Sequence, residues 1–173
     1  SAIASALGPK ISGELNRLFN PKNKTMELKD HIILVGQGAI AHNTAEELKL
    51  RGVPFIQIVA SRIEKETAAH VIEGDATNDA VLQQACIQNA RMVVAALEDD
   101  GANAFISLGV KAINPKVGVL AVAGSANSIR RLKLARADLV FSPVAVGSRL
   151  LADLVDGDQI PDEFKDLVEG HLK

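Results

Sequence analysis

His31-Ile32-Ile33-Leu34-Val35-Gly36-Gln37-Gly38-Ala39-Ile40-Ala41 is the stretch whose reading decides the fold. A short apolar strand runs into a glycine turn, and the turn opens a helix. The spacing Gly36-x-Gly38-x-x-Ala41 is that of a dinucleotide-binding turn with alanine in its third place. Gly36 lets the backbone leave the strand sharply. Gly38 has no side chain to hold a pyrophosphate off the main chain, and Ala41 lets the helix pack close to the strand. The unpaired amides and positive dipole end of that helix then face the phosphates.

Outward from this stretch the chain alternates strand and helix. Strands are expected at Ile32–Val35, Phe55–Val59, Val71–Glu73, Met92–Ala96, Val117–Val122 and Leu139–Phe141. The helix after the glycines carries Ile40, Thr44 and Leu48 on one face and stops at Gly52. Further helices are expected around Ile63–Ala69, Ala80–Ala85 and Ala102–Ile113, then one capped by Ser125 carrying Ile129, Leu132 and Leu134. A last strong helix opens at Pro143 with Val146, Leu150, Leu151 and Leu154. The strands are mostly unbroken apolar runs, as in a parallel sheet covered on both faces. The pattern predicts an α/β, doubly wound, mostly parallel six-stranded Rossmann-like sheet with helices on both faces.

Composition narrows the function. The 173 residues suit one domain with a modest extension. A net charge of −2 argues against general affinity for nucleic acid. Aromatic content of 3%, with no Trp or Tyr, leaves no stacking platform for single strands. Cys86 is the only cysteine, so neither an internal disulfide nor a cysteine zinc cluster can form. It lies between Ala85 and Ile87 and reads as a small buried side chain. No apolar run reaches the ~18 residues of a membrane span. Residues 1–31 nevertheless differ from the rest, with a local balance of +2 against −4 for the remainder. Ile11, Leu15, Leu18 and Phe19 form a helical stripe that Asn20-Pro21 ends, and Lys22-Asn23-Lys24-Thr25 reads as an exposed linker. Basic residues of this kind collect just cytoplasmic of membrane spans.

The residues at the carboxyl ends of the strands are the candidate site. Gly36, Gln37, Gly38, Ala39 and Ile40 form the turn and the first helical residues. Strand two ends Val59-Ala60-Ser61-Arg62, without the acid that would bind the ribose hydroxyls of NAD. Ser61 and Arg62 suit an additional phosphate on the ribose, so NADP or ATP/ADP is favoured over NAD; alternatively Ser61 caps the next helix and Arg62 is solvated. Asp75 and Ala76 follow strand three, where Asp75 either faces the ligand or ties down its own turn. Glu98, Asp99 and Asp100 could join a divalent cation site, although such a run more often caps a helix. No catalytic triad stands out among the scattered histidines, and a lone Rossmann unit offers little room for a substrate, which weighs against an enzyme.

Gly36-Gln37-Gly38, the run Gly74-Asp75-Ala76-Thr77, and Asp100 with Asn103 at the opening of the helix after strand four together resemble the RCK domain, also called TrkA-N. The stretch Leu139–Leu154 resembles that family's sixth strand and following helix. The resemblance covers residues 29–156, leaving 157–173 as a C-terminal tail. Residues 1–28 look like the end of an inner pore helix and the cytoplasmic linker of Kch-type bacterial voltage-gated-like potassium channels. The resemblance implies a regulatory domain that gates a potassium channel from the cytoplasmic face of the inner membrane. It implies pairing into homodimers and higher rings, a pore domain in the same protein, and nucleotide contacts at Gly36, Gly38 and Asp75. Pairing is expected through the helix Val144–Leu154. A domain of a potassium transporter or potassium/proton antiporter, and a small NADP-dependent oxidoreductase, are the alternatives. The chain departs from the family at the missing acid after strand two, and it stops before the family's smaller C-terminal lobe.

Overall fold

The computed structural model describes residues 28–61 and 70–156. The expected helix at 63–69, Arg62, the N-terminal segment and the C-terminal tail lie outside them. The strands are β1 (His31–Val35), β2 (Phe55–Val59), β3 (Val71–Glu73), β4 (Ala90–Ala95), β5 (Gly118–Val122) and β6 (Leu139–Phe141). The helices are α1 (Ala39–Leu50), α2 (Asp79–Gln84), α3 (Asp100–Ile113), α4 (Ala126–Leu134) and α5 (Pro143–Asp156). The sheet order is β3-β2-β1-β4-β5-β6, with every pairing parallel. This is the doubly wound arrangement that the alternating pattern predicts. The order reverses between β1 and β4, and the crevice of such a sheet opens there.

The two faces of the sheet carry separate cores. Ile33, Val35, Ile58, Val93 and Val119 pack with Leu82 of α2, Ile106 and Val110 of α3 and Leu132 of α4. On the opposite face Ile32, Leu34 and Phe55 pack with Ala41 and Ala45 of α1. The second core corrects the expectation for α1. The helix buries Ala41 and Ala45, whereas Ile40 is 41% exposed and Thr44 and Leu48 are only half-buried. Ala41 and Ala45 meet the sheet there, and Leu48 packs, partly buried, against the same core.

Two further expectations change in detail. Ser125 stands at the N-cap of α4, but its hydroxyl meets the Ser128 hydroxyl at 3.0 Å and caps no amide. Cys86 is half-buried, not buried, and takes a left-handed conformation (φ 56°) between α2 and the short 3-10 turn Ile87–Asn89. Asp99 accepts the Ala102 amide at 2.8 Å, which starts α3 at Asp100, two residues before the sequence suggested.

α5 is the element that this core leaves out. It buries no residue, and Val144, Leu151 and Val155 are 58%, 64% and 89% exposed. Beside α1, the register places Met92, Val94, Leu120, Leu139 and Phe141 on the same sheet face as Ile32 and Leu34. Leu139 and Phe141 are exposed there, and Met92, Val94 and Leu120 are half-buried. Half of one sheet face thus lacks a covering helix among the described residues.

Candidate functional site

Gly36 leaves β1 with φ +132°, a conformation that side-chain-bearing residues rarely adopt. A Cβ on it would also stand 2.5 Å from the Ala96 carbonyl oxygen. The turn is fixed from both sides: the Gly36 amide donates to the Ile58 carbonyl at 3.0 Å, and the Gln57 side-chain amide donates to the Gly36 carbonyl at 2.8 Å. Gln57 is buried in the middle of β2, which explains an amide inside Phe-Ile-Gln-Ile-Val. A polar residue in that run was the only sequence signal for this contact. Gln37 is exposed; its side-chain oxygen accepts the Ser61 amide at 3.5 Å, linking the turn to the end of β2.

Gly38 is the N-cap residue of α1. It brings no side-chain cap, and the first turn of α1 holds no acid. Among the described residues, no side chain satisfies the leading amides of α1, the condition under which a helix start receives an anion. Ala39 and Ile40 are exposed around it. By contrast, Asn78 caps α2 through the Ala80 amide at 3.0 Å, and Asp99 caps α3.

The acids divide by what they bond. Asp75, exposed at the end of β3, accepts both the amide and the hydroxyl of Thr77 on one oxygen, at 2.8 and 2.7 Å. Those Thr77 bonds hold its carboxyl below the ordinary aspartate value. Its second oxygen meets no described residue. Ala76 is buried in the core. Asp100 accepts the Gly124 amide at 2.8 Å. Asp99 and Asp100 thus serve helix and loop, and the described residues hold no cluster of metal-ligating side chains. Glu98 lies over Gly38: its Oε1 is 3.2 Å from where a Cβ on that glycine would stand.

Asn103 holds this edge together. It is fully buried, accepts the Leu97 amide at 3.0 Å, and donates to the carbonyls of Leu97 and Val122 at 2.9 Å each. One side chain thereby locks the ends of β4 and β5 to α3. The structure brings the glycine turn, Ser61 and Glu98 together at the reversal point; Asp75 and Ala76 lie further out, at the end of β3 beyond β2.

A family model described as the TrkA-N domain matches residues 32–143, the span from β1 to the start of α5. The chain belongs to the TrkA-N domain family. This TrkA-N chain is 29% identical over 173 residues to the voltage-gated potassium channel Kch of Escherichia coli (strain K12), a match covering 95% of the chain and 41% of Kch. It is 34% identical over 148 residues to probable potassium channel protein 2 of Methanocaldococcus jannaschii, covering 82% of the chain and 43% of that protein. The TrkA-N chain therefore spans about two fifths of the length of these relatives. Among solved structures it superimposes on GsuK bound to ADP (TM-score 0.68, 27% identity, 86% of this chain, 43% of that one). It also superimposes on the GsuK channel bound to NAD (TM-score 0.65, 29% identity, 78% of this chain, 24% of that one). The RCK resemblance of the sequence is thus a true family relationship.

Proposed function

We propose that this TrkA-N chain is the cytoplasmic regulatory domain of a potassium channel, converting occupancy of its glycine crevice into a change at the pore. The observation that carries this reading is the reach of the similarity to Kch. It covers 95% of the chain, well beyond the 32–143 span of the family model, and so includes sequence on both sides of the domain. The domain is a sensor rather than a catalyst. Its place is at the cytoplasmic face of the inner membrane, joined through residues 1–28 to a pore in the same protein. No helix among the described residues is long and apolar enough to cross a membrane.

The ligand in this reading is an adenine nucleotide. Its phosphates meet the uncapped start of α1 across Gly36 and Gly38, beside Gln37, Ala39 and Ile40. Ser61 and Asp75 stand at the two strand ends beyond, available to ribose or a further phosphate. No acid follows β2 at Ala60-Ser61, which removes the usual grip on a ribose diol and favours NADP or ADP/ATP over NAD. Pairing uses α5 and the neighbouring half-bare sheet face, because their exposed Val144, Leu151, Val155, Leu139 and Phe141 offer apolar cover to a second copy. A ligand that binds two arrangements of such pairs unequally shifts them, with coupling typically about 1–3 kcal/mol.

The test is potassium flux through vesicles holding the full channel polypeptide, with and without AMP, ADP, ATP, NAD or NADP. At least one nucleotide is expected to change the flux, and Gly38→Asp is expected to abolish that response. Flux that no nucleotide alters would overturn the reading.

A further inference from the structure

The described part of the sheet's carboxyl edge is acidic. Its described loops, 36–38, 60–61, 74–78, 96–99 and 123–125, contain Asp75, Glu98 and Asp99 and no lysine or arginine. Asp75, Asp99 and the adjoining Asp100 are each engaged by a neighbouring amide. Glu98 is different. Its exposed carboxylate forms no hydrogen bond or ion pair with a described residue. Its main chain starts from a fixed point, since Asn103 clamps both polar main-chain atoms of Leu97. From there its Oε1 reaches the space that the missing side chain of Gly38 leaves open.

That space is also the one a phosphate must enter to reach the first amides of α1. A carboxylate and a phosphate there share one small volume beside the same helix start. Like charges brought this close repel strongly, and no described base stands between them. We propose that Glu98 is the specificity-determining residue of the crevice, weakening ligands in step with the negative charge they place over Gly38. Among adenine nucleotides, each further negative charge over Gly38 then costs affinity that a neutral residue at position 98 would keep. This rests on the nucleotide reading above and says which nucleotides that site accepts.

Titration calorimetry of the full 173-residue chain with adenosine, AMP and ADP tests it, comparing the natural protein with Glu98→Gln and Glu98→Ala. Both variants are expected to fold, since Glu98 is exposed and unbonded. Each is expected to bind ADP about tenfold more tightly, AMP by a smaller factor and adenosine unchanged. Rising ionic strength is expected to narrow the ADP difference, because salt screens charge and not shape. Glu46→Gln removes the same charge from the outer face of α1 and is expected to change nothing. Equal ADP affinity in the natural protein and both variants overturns the proposal, as does an equal gain for adenosine, which would mark Glu98 as a steric plug. If none of the proteins binds any of the three ligands, the nucleotide reading itself falls and takes this inference with it.

Discussion

Gly36 and Gly38 belong to one motif, yet the structure gives them different duties. At Gly36 a methyl group would meet the Ala96 carbonyl oxygen at 2.5 Å, and φ is +132°. At Gly38 the nearest obstacle is the far end of the flexible Glu98 side chain at 3.2 Å. Gly36→Ala is therefore expected to destabilise the domain by about 3 kcal/mol, from backbone strain and overpacking together. Gly38→Ala should leave the melting temperature within a few degrees while weakening nucleotide binding; equal losses of stability would show the distinction to be wrong. His31 supplies a second residue-scale expectation. It is fully buried, with Nε2 donating to the Ala85 carbonyl at 2.8 Å and Nδ1 unpartnered. Burial lowers its pKa from 6.5, outweighing the opposite pulls of the Ala85 carbonyl and Asp30. The unfolded chain thus binds this proton more readily than the folded one, so stability present above pH 6.5 falls as the pH drops below it. Melting curves across that range should show the slope, and His31→Leu should flatten it.

At the scale of elements, the helix ends carry the contrast. Gly52 follows the end of α1, and its φ of +64° costs glycine little. α4 ends through Arg136 at φ +65°, with the Arg136 and Ala137 amides returning to Lys133 and Leu132. A side chain in that region costs about 1–2 kcal/mol, partly offset by the chain entropy glycine would lose. Arg136→Gly should therefore stabilise the domain by up to about 1 kcal/mol in denaturant unfolding; a loss of stability would mean the guanidinium matters more than its backbone. The existence and order of the elements were legible in the sequence because glycine, proline and unbroken apolar runs punctuate it locally. Which face of α1 turns inward was not. Ile40 is the more apolar residue, but it is exposed, and Ala41 and Ala45, with Leu48 partly buried, form the inward face. Asp99, Asp100 and Asn103 were visible as a polar group at the opening of a helix. Their division into cap, loop tie and buried latch depends on the positions of Gly124, Leu97 and Val122.

For the whole molecule, the unfinished part is the side that α5 and β6 present. Leu139 and Phe141 of β6 and Val144, Leu151 and Val155 of α5 are large apolar residues left exposed. Leu151→Asp is expected to turn pairs into monomers in sedimentation while leaving the fold intact, since Leu151 is 64% exposed in the single chain. Pairs that survive the change would place the interface elsewhere. The sequence by itself determined the class of fold, the location of the glycine turn and the family, because apolar periodicity and turn chemistry act between residues a few positions apart. Only the tertiary structure decided that Gln57 fastens the turn, that Asn103 clamps β4 to β5, and that Glu98 lies across Gly38. Gln57 and Gly36 are 21 positions apart, and Glu98 is farther still from Gly38 along the chain. Their meeting is set by parallel strand register, which no local pattern encodes.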